Sequence, residues 1–237
     1  MIRRMRTACS AAFLAGVLLW LSGCRSTAPE GPGNAEPEGG LPVPHCRILL
    51  DPGHGGEELG AVRNLLPEKH LNLLLAREIR RELMRRGFAV QMTRDGDFTV
   101  SLRQRQIMAE ALRPDLLISV HHNAALSTAA NGVECYIRTP SDPDAQRFWE
   151  RSFPLARKIQ QGIVAQLPGV CDRGVKNARF AVLIPKRPAV LIEVGFVSNP
   201  REELELHTAE RRRRTALGVA DGVEAFLTGE AKGIVRL

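Results

Sequence analysis

The stretch "RILLDPGHGG" (residues 47–56), followed by "EKHLNLLLAREIRRELMRRG" (68–87) and "FAVQMTR" (88–94), decides the fold class. The first segment is an apolar run that ends in a glycine turn. The second sets leucine and isoleucine at helical spacing and stops at Gly87, a helix with a termination signal. The third reads as a short strand. Strand, helix and strand in this order make a βαβ unit, whose strands run parallel. The alternation continues with a helix in "SLRQRQIMAEALR" (101–113) and a strand in "DLLISVHH" (115–122). "GVECYIR" (132–138) is strand-like, and "AQRFWERSFPLARKIQQGIVAQL" (145–167) is a helix broken or entered near Pro154. "FAVLIPKRPAVLIEVGFVSN" (180–199) holds one or two strands. The chain closes on a helix pair, "REELELHTAE" (201–210) and "RRRRTALGVADGVEAFL" (211–227). The expected fold is α/β, a three-layer sandwich with a mostly parallel central sheet flanked by helices.

The 237 residues, 44% hydrophobic and 25% charged, have ordinary globular composition. That is enough for one sizeable domain. "MIRRMRTACSAAFLAGVLLWLSGC" has a basic start and an apolar stretch too short to span a bilayer. This layout predicts a signal peptide over residues 1–23. Its ending, "LSGC", resembles the bacterial lipobox, which implies lipidation of Cys24 and anchoring to a membrane. Arg25 and Ser26, in place of an aspartate, favour the outer membrane, with the domain facing the periplasm. Residues 24–44, rich in Pro and Gly, read as a flexible linker. Residues 45–237 remain for the folded domain.

Cys46, Cys135 and Cys171 are odd in number and lack CxxC spacing, which argues against a disulfide framework or a cysteine-held metal. Cys46 and Cys135 belong to apolar surroundings and are expected to be buried. The net charge of +7 favours anionic surfaces. Its densest run, Arg211 to Arg214, opens an amphipathic helix and reads as a solvated face. No nucleic-acid motif accompanies it, so nucleic acid is not an expected partner.

Ligand sites in open α/β sheets lie beyond the carboxyl ends of the strands. His54 follows the first strand, and His121 ends "DLLISV". Glu68 opens the first helix, and Glu193 sits in the apolar strand "AVLIEVGF". Taken singly, His54 is a loop histidine, Glu68 a favourable charge at a helix N-terminus, and His121 a core histidine. Glu193 is harder to dismiss, because an unpaired buried carboxylate costs several kcal/mol. As a set, two imidazoles and a carboxylate suit zinc with one open position, and a further carboxylate can take a proton from water. His121 and His122 point to opposite faces of a strand, so one task cannot occupy both.

The motifs "ILLDPGHGG", "EKHLNL", "TRDGD", "SLRQR", "LLISVHHNA", "DRGVKNARFAVL" and "PAVLIEVGFVSNP" follow one another across the domain. As an ordered set they closely resemble the zinc-dependent N-acetylmuramoyl-L-alanine amidases of the bacterial cell wall, the amidase_3 type. The resemblance implies His54, Glu68 and His121 as zinc ligands and Glu193 as the catalytic carboxylate. It implies hydrolysis of the amide between N-acetylmuramic acid and the L-alanine of the peptidoglycan stem peptide. His122 stands where the family usually has a small residue, so the alignment makes His121 the ligand and turns His122 away. Arg105 matches the family arginine and is expected to brace the fold through an ion pair. Asn199, Pro200 and Glu202 read as the start of a helix, with cap, first-turn proline and acid in place. Some members carry an inserted helix that blocks the site. Here the corresponding stretch holds little beyond the helix that the fold requires, although "PSDPDAQRFWERSF" could form a short flap. The expectation is an open site on a monomer that needs no activator. Two rivals are another zinc hydrolase of the wall and a peptidoglycan-binding lipoprotein without activity.

Overall fold

The computed structural model describes residues 46–183 and 186–234. The signal peptide, Cys24 and linker expected from the sequence lie outside the described residues. The elements are β1 (Arg47–Pro52), α1 (Glu68–Arg85), β2 (Ala89–Met92), α2 (Leu102–Leu112), β3 (Leu116–Asn123), β4 (Val133–Arg138), α3 (Pro143–Gln166), β5 (Asp172–Ala178), β6 (Ala189–Phe196), α4 (Pro200–Leu206) and α5 (Ala209–Ile234). They build one six-stranded sheet in the order β2-β1-β3-β6-β4-β5. Neighbouring strands are parallel except β4, which runs antiparallel to β6. The three-layer, mostly parallel sandwich expected from the sequence is therefore present.

Strand alternation sorts the core into two layers. Ile48 and Leu50 of β1, Ile118 and Val120 of β3, and Val190 and Ile192 of β6 face one side. There they pack on Leu75 and Ile79 of α1, Ile159 of α3, and Val219 and Val223 of α5. The intervening residues Leu49, Leu117 and Leu191 face a smaller cluster with Ala109 of α2 and Val182 of a 3-10 turn, Ala181–Leu183. The second layer is thin. One helix and one turn leave the carboxyl ends of β3 and β6 open on this side.

The helix termini follow local chemistry. Ser101 and Gln104 form a reciprocal capping box at α2. Asn199 accepts from the amides of Arg201 and Glu202 to cap α4, as the sequence predicts. The Glu202 carboxylate instead reaches the amides of Phe196 and Gly132. α3 and α5 touch through glycine. A Cβ on Gly162 would sit 2.1 Å from the Gly218 carbonyl oxygen. The arginine run is tied down locally, with Arg213 and Arg214 sharing Glu210, Arg212 on the His207 carbonyl and Arg211 on the Val194 carbonyl.

Three local expectations are refined. Pro154 lies inside a continuous α3. It occupies the exposed face, while its neighbours Leu155 and Ala156 are fully buried, and that packing holds the helix together. The flap considered for "PSDPDAQRFWERSF" is largely the first part of the same helix. The described residues of 180–199 hold a single strand, β6, after the 3-10 turn. Cys46 and Cys135 are buried as expected, and Cys171 is exposed.

Candidate metal centre

The turn after β1 sets the first side chain. His54 takes a left-handed backbone conformation with φ of 60°, uncommon for a residue with a Cβ. Two buried arginines hold the surrounding carbonyls. Arg105 donates to the Pro52 and His54 oxygens at 2.8 and 2.7 Å, and pairs with buried Asp51 at 2.5 Å. This is the bracing ion pair expected of it. Arg94, to which the sequence assigned no role, donates to the Pro52, Gly53 and Lys69 oxygens. Burial, with Arg105 beside it, lowers its pKa to about 10.

The loop between β1 and α1 is fastened at its far end by α4. Glu203 accepts from Arg63 at 2.5 Å and from the amides of Asn64 and Leu65 at 2.7 and 3.1 Å. α1 then begins at Glu68, whose carboxylate turns back into the site. Its Oε2 lies 3.2 Å from His54 Nε2, and its Oε1 lies 3.0 Å from His121 Nδ1. One donor atom from each of His54, Glu68 and His121 falls within 4.8 Å of the others. The three residues expected as ligands are thus brought together. Gly53 makes room for this, because a Cβ there would lie 2.0 Å from the His121 ring.

The supporting contacts have the form that metal-ligating side chains need. His54 Nδ1 meets Glu58 Oε1 at 2.8 Å, which orients Nε2 toward Glu68. Glu68 also accepts from the Ala61 and His122 amides. Burial alone would raise the Glu68 pKa, but the hydrogen bonds from His121 and His54 pull it far below the carboxylate range. Burial disfavours the charged form of His54, yet Glu68 and Glu58 outweigh it and raise its pKa.

His122 faces the other way and is 2% exposed. Its Nδ1 lies 2.7 Å from Asn72 Oδ1, and Asn72 Nδ2 donates to Glu68 Oε1 and to the Gly53 oxygen. Burial depresses its pKa to about 3, which keeps it neutral. His122 therefore holds the residue that holds Glu68. Asn72, one turn along α1 from Glu68, escaped the sequence reading although it stands in "EKHLNL".

Glu193 pairs in register with His121 across β3 and β6. Its Oε2 is buried and makes no hydrogen bond among the described residues. Burial, followed by the carboxylates of Glu68 and Glu134, drives its pKa well above the usual range. Elsewhere in this fold a buried carboxylate is met by donors, so the orphaned oxygen marks a group left free to act. His54, His121 and Glu193 line one pocket of about 300 Å³, walled by Leu102, Phe180 and Val182. The metal-ligand candidates and Glu193 meet at the open ends of β3 and β6, on the thinly covered face.

Such an arrangement defines a hydrolase-type site: a clustered donor set beside a free carboxylate in an open pocket. The sequence profile of Amidase_3, N-acetylmuramoyl-L-alanine amidase, matches residues 48–225, and the chain belongs to that family. The chain is 35% identical over 186 residues to N-acetylmuramoyl-L-alanine amidase LytC of Bacillus subtilis, covering 78% of this chain and 36% of that protein. It is 32% identical to N-acetylmuramoyl-L-alanine amidase AmiC of Neisseria meningitidis, covering 86% and 56%. The chain thus spans only about a third to a half of these curated relatives. The crystal structure of an N-acetylmuramoyl-L-alanine amidase from Clostridium difficile 630 superimposes with a TM-score of 0.72 at 32% identity. That match covers 78% of this chain and 98% of the other.

Proposed function

We propose that this chain is a zinc-dependent peptidoglycan hydrolase that cleaves the amide between N-acetylmuramic acid and L-alanine. The observation that carries the reading is the His54–Glu68–His121 cluster with the unpartnered Glu193 carboxylate beside it. Two imidazoles and a carboxylate match the donor set of catalytic zinc, and among the described residues no cysteine belongs to this cluster. When bound, zinc would supply Lewis acidity toward the carbonyl and acidify the attacking water, worth several kcal/mol of barrier.

The protein supplies the rest. His54, Glu68 and His121 fix the position of the charge, and Glu58 and Asn72 fix the orientation of the ligands. Glu193 takes the proton from the attacking water and returns it to the leaving alanine nitrogen. The same burial that raises its proton affinity equips it to hold that proton. A cation bound alongside would lower that affinity.

We also propose that residues 1–23 direct export, that Cys24 carries a lipid anchor, and that residues 24–44 tether residues 45–237 to an outer membrane facing the periplasm. The layout of the N-terminal sequence supports this part.

Product chemistry tests the activity. Peptidoglycan digested by residues 45–237 should release stem peptides with a free L-alanine N-terminus and leave the glycan intact. Release should stop on chelation and return with zinc. Cleavage within the peptide or removal of acetyl groups would instead identify another wall hydrolase. Tight binding without release, in zinc-loaded protein, would identify a wall-binding module.

A further inference from the structure

On the thinly covered face of the sheet, the register carries the site sideways. His121 stands opposite Glu193, and Glu193 stands opposite Glu134 in the antiparallel pair of β6 and β4. Directly opposed residues in such a pair share a face. Beyond Glu134 lies β5, which brings Arg173 and Lys176 onto the same carboxylate. Arg173 Nε donates to Glu134 Oε2 at 2.6 Å, and Lys176 Nζ donates to the same oxygen. Tyr136 and Asn123 donate to Oε1, each at 2.7 Å.

This cluster is not neutral. One carboxylate faces two cations, so the trio has a surplus positive charge beside the pocket. Glu134 is 3% exposed, whereas Arg173 and Lys176 are 33% and 39% exposed. The buried carboxylate holds Arg173 at Nε and Lys176 at Nζ, and both side chains remain partly exposed to solvent. Lys176 also lies over the Tyr136 ring, and Tyr136 packs on Phe180 of the pocket wall. The other flank of the pocket carries Glu58 on the loop after β1, an acidic group less suited to an anion.

We propose that Arg173 and Lys176 form a subsite for a carboxylate of the stem peptide, so that the peptide leaves the metal centre across β4 toward β5. The inference rests on the proposed amidase activity and adds its substrate direction. Strands lie about 4.8 Å apart, and an extended peptide advances about 3.3 Å per residue. Both cations reach back to Glu134 on β4, one strand from β6, so the span is about one and a half residues, which puts the carboxylate of the second residue within reach of both.

The test uses L-alanyl-D-isoglutamate and its carboxamide, L-alanyl-D-isoglutamine, titrated calorimetrically into the zinc-supplemented protein. Neither contains a muramoyl amide, so the result does not depend on turnover. The free acid should bind about tenfold more tightly than the carboxamide, the range of one partly exposed charge-assisted contact. Lys176→Gln should bring that ratio toward unity, and Lys176→Arg should restore it. An equal affinity for both peptides in the wild-type protein overturns the subsite. So does a Lys176→Gln protein that binds both more weakly with the ratio intact, because that outcome assigns the lysine to structure alone. If the ratio behaves as expected while peptidoglycan stays uncut, the subsite stands and the amidase reading falls.

Discussion

Replacing Glu193 by glutamine is expected to lower kcat about 10²- to 10⁴-fold, the contribution of a positioned general base. The same change is expected to stabilise the metal-free protein at neutral pH. Glu193 sits in an apolar strand with a buried oxygen that has no partner, and burial pushes its pKa well above the carboxylate range. A folded-state pKa raised above the unfolded value gives stability that is complete below the unfolded pKa. That stability is lost as pH rises through the folded pKa. Glutamine has nearly the same shape and no such dependence. The difference in melting temperature, variant minus wild type, should therefore grow from about pH 4 upward. Melting curves of the metal-free proteins from pH 4 to 8, beside kcat of the zinc-loaded ones, check both halves. A variant with kcat within tenfold of wild type removes Glu193 from the chemistry.

Arg105→Leu is expected to cost about 3–5 kcal/mol at neutral pH, the loss associated with stranding one partner of a buried pair. A domain of this kind is stable by only about 5–15 kcal/mol, so the variant would approach unfolding. Asp51 is 1% exposed, and without the guanidinium it keeps only the hydroxyls of Thr93 and Ser119. In the wild-type protein burial tends to raise the Asp51 pKa, but Arg105 and these hydroxyls hold it below the usual value. Its stability contribution is therefore present above the unfolded pKa and lost as pH falls through the folded one. In the variant burial prevails and the sign reverses. The gap between the two proteins should narrow on acidification from neutrality toward about pH 4. Denaturant unfolding at two pH values measures this. A loss below about 1 kcal/mol would show that Arg94 alone can hold the turn.

Much of this organisation is legible in the sequence for definite reasons. β1, β3 and β6 are apolar runs because both of their faces are covered over most of their length. The ligand candidates and Glu193 could be picked out because parallel sheets collect ligands at strand ends, where a charged residue breaks an apolar run. β5 was not legible. "DRGVKNA" is polar, has no alternation, and lies at the edge of the sheet, where strand formation depends on β4 rather than on its own residues. Pro154 misled for the related reason that packing outweighed a local breaker.

The supports of the site were hidden by distance along the chain. Asn72 acquires meaning only when His122 arrives from 50 positions away. Glu203 meets the loop at Asn64 across 139 positions, and Arg173 meets Glu134 across 39. Apart from the motifs that contain Asn72 and Arg173, nothing in the neighbourhood of these residues distinguishes them from ordinary surface polar groups. The adjacent histidines were different, since strand alternation alone separates their roles. His121 joins Glu68 in the open pocket and His122 locks Asn72 beneath it.

That pair also offers the most direct test of the proposed metal centre. Zinc content per chain should be determined by mass spectrometry after equilibration with the metal and exhaustive dialysis, for wild type, His121→Ala and His122→Ala. The expected result is about one zinc per chain in wild type and none in His121→Ala. His122→Ala should still load zinc, with affinity reduced about 10- to 100-fold by the loosened support of Glu68. A His121→Ala protein that keeps its zinc while His122→Ala loses it would contradict the assignment and place the metal on the opposite face of β3.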